Sequence, residues 1–302
     1  MRRKYYVLDV FTERALAGNP LAAVIDCDGL DTSAMQKIAA EFNLSETIFL
    51  FEPHDPVNTA RLRIFTPRAE LPFAGHPTLG AAILVGELRA RDLLRGQDLS
   101  VVLEEPIGAI ACVVRHRPGK ARQAHFTLPR LPSRVGMPQS SDRLAAALGL
   151  SSADIGFDRH VPSIYSAGTA FTFVPVATLS ALAGARVRAD LFPAAFTPAE
   201  TAHAFLYTRE CVAGHDFHAR MFAPTLGITE DPATGSAAAA FAGVLMAFEK
   251  IPDGNHALVI EQGFEMERPS LIILSLDVEK GVLVEAQVGG AAVIVAEGHL
   301  DL

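Results

Sequence analysis

Apolar and polar positions along this chain follow two periods, and the two alternate in blocks. Residues 5–11 alternate loosely, and residues 21–25 form a short apolar run after Gly18-Asn19-Pro20. That pattern predicts two strands around a turn. Met35, Ile38, Ala39 and Phe42 recur at helical spacing behind Asp31 or Thr32, either of which can cap a helix. Residues 45–51 predict a strand with Ile48 and Leu50 on one face and Thr47 and Phe49 on the other; residues 61–65 predict another. Residues 99–104 and 110–114 predict a hairpin about Pro106-Ile107-Gly108, and residues 125–128 continue the strand character. Pro129, Pro132 and Pro138 then mark a linker between halves. Beyond it the pattern predicts a helix over 142–148, strands over 161–166 and 169–175, and a helical segment around Leu179. Strands over 204–208 and 216–222 flank a Gly214 turn, and four more cover 259–263, 271–276, 283–288 and 291–297.

Two stretches, residues 79–86 and 237–248, are apolar on most helical faces and must be enclosed if they are helices. The same plan precedes each. Arg63-Ile64-Phe65-Thr66-Pro67 is followed by Ala74-Gly75-His76-Pro77-Thr78 and the first stretch. Arg220-Met221-Phe222-Ala223-Pro224 is followed by Asp231-Pro232-Ala233-Thr234-Gly235-Ser236 and the second. The repeat predicts an α+β chain of two halves, each with mostly antiparallel strands wrapped around a central apolar helix. The expected bounds are residues 1–128 and 129–289, with 290–302 a candidate strand for return to the first domain. A parallel doubly wound sheet ranks lower, because the connections are short and no G-x-G-x-x-G follows the first strand. Two such turns facing each other would form a cleft with two helix N-termini, which suits an anionic small molecule.

Composition narrows this further. The 302 residues are half hydrophobic and one-fifth charged, enough for a sizeable core. The formal charge of −8, from 26 basic and 34 acidic residues, argues against sequence-independent nucleic-acid binding. No signal-peptide pattern is visible, and the longest stretch free of charge is interrupted by prolines and glycines, so no membrane partner is expected. Cys27, Cys112 and Cys211 are odd in number and widely spaced, which fits a reducing cytoplasm rather than a disulfide framework.

The motifs also carry a resemblance. Phe11 with Gly18-Asn19-Pro20, Glu41-Phe42-Asn43-Leu44-Ser45-Glu46-Thr47, Phe65-Thr66-Pro67, Glu70-Leu71-Pro72-Phe73-Ala74-Gly75-His76-Pro77-Thr78 and Glu230-Asp231-Pro232-Ala233-Thr234-Gly235-Ser236-Ala237 stand in one order from residue 5 to about residue 240. Together they resemble the phenazine-biosynthesis isomerase-like (PhzF-like) family, within the wider diaminopimelate epimerase-like fold. The resemblance implies two pseudo-symmetric domains, each a mostly antiparallel barrel-like sheet around its central apolar helix, with an active site between them, no metal, no organic cofactor, and a homodimer. It implies that Glu46 is the catalytic acid/base, assisted by His76 and Asp231. The turns at Gly75 and Gly235-Ser236 would hold a substrate carboxylate.

These residue types suit that chemistry. Moving a proton between carbons needs a group that takes it and returns it, and a carboxylate can do so when desolvation lifts its pKa. Glu46 lies beside Ile48, Phe49 and Leu50, although on spacing alone it reads rather as an exposed strand residue or, with Ser45, as part of a turn. His76, before Pro77, sits where an extended residue leads into a helix with Pro at its first position; it is either a turn histidine or a donor to developing negative charge. Asp231 before Pro232 reads as a helix N-cap, a substrate contact, or both. Gly75, Gly235 and Ser236 offer backbone N–H groups at helix starts. Asn19 could reach the site or serve only its turn.

Epimerase relatives use a cysteine at each pseudo-symmetric turn, and here those places hold Ala74 and Thr234. A two-thiol epimerase is therefore not expected. An isomerase moving a proton within a small carboxylate-bearing metabolite leads. Behind it stand an epimerase, racemase or dehydratase with a different second base, and a metabolite-binding protein without turnover. His215 and His218 are a weak metal candidate without evident further ligands. Glu104-Glu105 is expected to face solvent. Ser163, Ser166 and Ser236 lack a nucleophile-elbow context.

Overall fold

The computed structural model describes residues 2–198 and 201–302. It divides into two compact units, one running to Thr127 and including Gly289–Leu302, the other Leu128–Val288.

The first unit contains β1 (Arg2–Val10), β2 (Asn19–Val24), α1 (Thr32–Phe42), β3 (Glu46–Phe51), β4 (Ala60–Phe65), β5 (Glu70–Leu71), α2 (Gly75–Arg89), β6 (Leu99–Glu105), β7 (Gly108–Arg115) and β8 (Arg122–Thr127). Among the described residues, eight strands close into a ring in the order β1-β2-β3-β4-β6-β7-β8-β17, the last being Val282–Asp301, which pairs with both β8 and β1. Most of these pairings are antiparallel, while β2–β3 and β4–β6 are parallel. The ring surrounds α2. That helix has almost no polar stripe: every residue from Gly75 to Gly86 is buried, and it packs on β1, β2, β3, β4, β6, β7 and β8. Burying Leu79, Ile83 and Leu84 contributes about 1.5–3 kcal/mol each. Gly80 lets the helix approach the strands closely: a Cβ there would fall 2.6 Å from Leu21 Cδ2 and 3.0 Å from Val10 Cγ2, and those side chains would have to shift.

The second unit contains β9 (Ser133–Gly136), α3 (Ser141–Leu148), β10 (Ser163–Ser166), β11 (Ala170–Pro175), α4 (Leu179–Gly184), α5 (Phe192–Ala195), β12 (Ala204–Thr208), β13 (Phe217–Ala223), β14 (Ile228–Asp231), α6 (Gly235–Phe248), β15 (Gly254–Gln262) and β16 (Ser270–Glu279). Its strands pair in the order β9-β10-β11-β12-β13-β15-β16. The pairing senses repeat those of the first unit, with β11–β12 and β13–β15 parallel. α6 takes the place of α2. Its Phe241 packs against the rings of Phe173, Phe205, Tyr207 and Phe217.

Several expectations need correction. Asn19 and Pro20 belong to β2, because they pair with Val10 and Asp9; the turn ends at Gly18, whose φ of +67° suits glycine. The predicted linker holds β9, which pairs with β10. The last two predicted strands are one, β17, which runs unbroken through residues 288–291. Pro77 is not at the first helical position: α2 begins at Gly75 behind Ala74. Glu105 does not face solvent. It is 7% exposed, and burial raises its pKa to about 8. Glu104 accepts hydrogen bonds from His54 N, Asp55 N and Asn58 Nδ2.

Candidate active site

In the first unit, α1 stops at Asn43, whose left-handed backbone (φ 50°) turns the chain toward β3. Glu46 is the first residue of that strand and lies opposite Leu21 of β2. His76 is the second residue of α2, where an extended Ala74 (φ −153°, ψ 136°) delivers the chain into the helix. These two sequence-distant residues meet: His76 Nε2 is 3.3 Å from Glu46 Oε2, and their side chains are 6% and 13% exposed. Burial depresses the His76 pKa to about 3. The ring is therefore neutral near pH 7, and the contact is not an ion pair between fixed charges. A neutral imidazole offers one N–H donor and one acceptor nitrogen, so it can answer either protonation state of a neighbouring carboxyl group. Asn19 is fully buried at the start of β2, opposite Val10. Gly75 opens α2, in the first helical turn, where backbone N–H groups lack intrahelical acceptors.

In the second unit, Asp231 ends β14 opposite Met221 and is 7% exposed. It is not the helix N-cap. That position belongs to Thr234, whose hydroxyl donates to Asp231 Oδ2 at 2.5 Å. Thr234 O accepts from Ala237 N and Ala238 N, so the N–H groups of Gly235 and Ser236 precede the first intrahelical bonds of α6. Thr234 stood out in the sequence only as the place where relatives carry a thiol. Its service to Asp231 has no sequence signal beyond the three-residue spacing.

His215 and His218 come together on one carboxylate. His215 Nδ1 is 2.8 Å from Glu261 Oε1, and His218 bridges Glu261 Oε2 at 2.9 Å and Glu265 Oε1 at 3.0 Å. Burial opposes charge on His218, yet the two carboxylates raise its pKa. Among the described residues no His/Cys/Asp/Glu group is arranged to hold a metal ion.

The family model for phenazine biosynthesis-like proteins matches residues 8–298. The chain belongs to this family. It is 48% identical to an uncharacterized isomerase of Mesorhizobium japonicum, across 99% of this chain and 98% of that protein. It is 33% identical to the trans-2,3-dihydro-3-hydroxyanthranilate isomerase of Pseudomonas aeruginosa, across 99% of both. Among solved structures, the PhzF-family phenazine biosynthesis protein of Bacillus anthracis superposes with a TM-score of 0.88 at 26% identity, covering both chains fully. The phenazine biosynthesis-like chain described here is accordingly an isomerase of epimerase-like fold. Among its described residues no helix is long and apolar enough to cross a membrane.

Proposed function

We propose that this isomerase works with one proton carrier, Glu46, on a small carboxylate-bearing metabolite. The observation that carries the reading is the approach of Glu46 to a neutral, buried His76 at 3.3 Å. The Glu46 carboxylate takes a proton as a substrate C–H bond breaks, and the electron pair moves into an adjacent unsaturated system. The same carboxyl group returns the proton to a second carbon, which completes an isomerisation without net redox change. His76 steadies the carboxyl group through both protonation states. Asp231 contacts the substrate from the turn before α6. The N–H groups of Gly75, Gly235 and Ser236 are the proposed donors to the substrate carboxylate, at helix starts where the dipole favours an anion. Asn19 is a further candidate contact.

An epimerase would need a second base on the opposite face of the carbon. The two turn positions that would supply it hold Ala74, which has no proton to exchange, and Thr234, whose hydroxyl is engaged with Asp231. This supports the one-base reading. The family resemblance adds a homodimer, and the spacing of Cys27, Cys112 and Cys211 a reducing compartment, which light scattering and fractionation would check.

The test is solvent-deuterium incorporation. The first substrate to offer is trans-2,3-dihydro-3-hydroxyanthranilate, named for the relative at 33% identity. Turnover in D2O should place deuterium on the accepting carbon to the extent that the proton held by Glu46 exchanges with solvent before its return, and Glu46→Gln should slow turnover and exchange by about 10²–10⁴-fold. Full exchange by that variant would remove Glu46 from the mechanism.

A further inference from the structure

The two units repeat one register in detail. Arg63-Ile64-Phe65 and Arg220-Met221-Phe222 are equivalent in the repeat, so Arg61 corresponds to His218. In the parallel ladders Arg61 lies opposite Glu104 and His218 opposite Glu261. Glu104 and Glu261 are therefore equivalent, and they behave alike. Glu104 accepts from the successive amides of His54 and Asp55, each at 2.8 Å, and Glu261 from those of Val212 and Ala213, each at 2.8 Å. The next residues, Glu105 and Gln262, end β6 and β15 and are both buried.

Each of these strand ends reaches the turn that opens the enclosed helix. Gln262 Oε1 accepts from Thr234 N at 3.1 Å. Its Nε2 donates to Asp231 O at 2.8 Å and to Thr234 Oγ1 at 3.0 Å. Both amide protons and the carbonyl are thus engaged, all on the turn from Asp231 to Thr234. The Thr234 hydroxyl accepts from Gln262 and passes its single proton to Asp231 Oδ2. Close approach completes the arrangement. Gly263, at φ +77°, lies where a Cβ would fall 2.6 Å from Pro232 O.

In the first unit, Thr78 Oγ1 is 2.7 Å from Glu105 Oε1 and 2.8 Å from Ala74 O. One hydroxyl proton cannot serve both oxygens. With its pKa raised to about 8 by burial, the Glu105 carboxyl is protonated at neutral pH. It then donates to Thr78 Oγ1, and Thr78 donates to Ala74 O. A neutral side chain at the strand end, a threonine hydroxyl and one end of the turn are linked in both units.

We propose that Gln262 and Glu105 are equivalent positioning residues, each holding from a strand end the turn that presents Asp231 in one unit and Gly75-His76 in the other. Neither touches the reacting atoms; Gln262 acts through Thr234 on Asp231, and Glu105 through Thr78 on Ala74. The inference rests on the functional reading above for its catalytic consequence, but not for the clamp itself.

The test has two arms. Native-state hydrogen exchange on the full chain needs no ligand. In Gln262→Met, which keeps the side-chain shape if Gln262→Ala does not fold, the Thr234 amide should exchange about five- to tenfold faster relative to amides of β16. The second arm measures kcat and KM with trans-2,3-dihydro-3-hydroxyanthranilate. Gln262→Met should lower kcat by about tenfold or more, and Glu105→Ala should do likewise, with most of the loss restored in Glu105→Gln, whose neutral amide can donate to Thr78. Unchanged Thr234 exchange in Gln262→Met overturns the clamp. Accelerated exchange with wild-type kcat and KM overturns the positioning role, as does a Glu105→Gln enzyme no better than Glu105→Ala. A wild-type enzyme inert toward this compound refutes the choice of substrate instead, and the exchange arm then decides the clamp alone.

Discussion

His76 Nε2 stands 3.3 Å from Glu46 Oε2, and the imidazole is uncharged. On the proposed mechanism the combination matters, because a cationic partner would favour the charged carboxylate over its protonated form and a neutral ring does not. Desolvation at the second position of an enclosed helix is what denies His76 its charge.

Replacing His76 tests this directly. His76→Ala should lower kcat by about 10–10³-fold. The wild-type kcat/KM profile should carry no inflection from His76 between pH 5 and 8, since its folded pKa of about 3 lies below that window. An inflection near pH 6–7 that disappears in His76→Ala would show an ionising imidazole and contradict the neutral assignment.

Stability should fall on both sides of mildly acidic pH. His76 is depressed from 6.5 to about 3, so the unfolded chain binds more protons through that window and stability is lost as pH falls from 6.5 toward 3. Glu105 is raised from 4.5 to about 8, so the folded chain binds more protons there and stability is lost as pH rises from 4.5 toward 8. Urea unfolding at pH 5.5 and 8.5 should show a decline, and Glu105→Gln should reduce it by on the order of a few kcal/mol. An undiminished decline would mean that Glu105 is ionised in the fold at neutral pH.

The repeated arginines differ in depth. Arg220 forms two 2.8 Å bonds to Glu230, and its Nη1 donates to Leu182 O, Ala183 O and Ala185 O, in surroundings that leave it 4% exposed. Arg63 makes the equivalent pair with Glu70, at 22% and 30% exposure. Arg220→Met should destabilise by about 3–5 kcal/mol, because it leaves Glu230 and three carbonyls without their donor. Arg63→Met should cost about 1 kcal/mol or less. Thermal melts of the two variants would check the ordering.

Gly243 offers a case where helix propensity gives the wrong sign. Alanine usually favours a helix interior over glycine by about 1 kcal/mol. At position 243 the new Cβ would meet Tyr165 Cδ1 at 2.5 Å and Pro132 Cβ at 3.1 Å. Gly243→Ala should destabilise by about 1–3 kcal/mol. Gly96→Ala, with nothing within 4 Å and a φ of −126°, should stay within about 0.5 kcal/mol of wild type in the same denaturation assay.

Much of this molecule is legible from local pattern. Helical spacing and the Asp31 cap mark α1, and Asp31 Oδ1 does accept from Ala34 N. The hairpin of β6 and β7 turns at Pro106-Ile107, as its composition requires. Two all-round apolar stretches announce helices that strands must enclose, and the duplicated Arg-x-Phe and turn motifs announce the repeat. Glu46 and His76 were readable as candidates because their short motifs are distinctive. Asp231 was readable as a residue but not as a geometry: a carboxylate before proline resembles an N-cap, and only the fold gives the cap position to Thr234.

The sequence by itself determined periodicity, turn chemistry and the order of the repeated motifs, because each depends on residues a few positions apart. Tertiary structure decided which polar groups lose water and what they then bond. Glu105 looked like a solvated neighbour of Glu104, yet the strand's pleat sends one carboxylate to exposed amides and the other into the interior. Gln262 lies 28 residues from Thr234, and Glu46 lies 30 from His76. Their meeting depends on the register of parallel ladders and on the path of an enclosed helix, which no local spacing encodes.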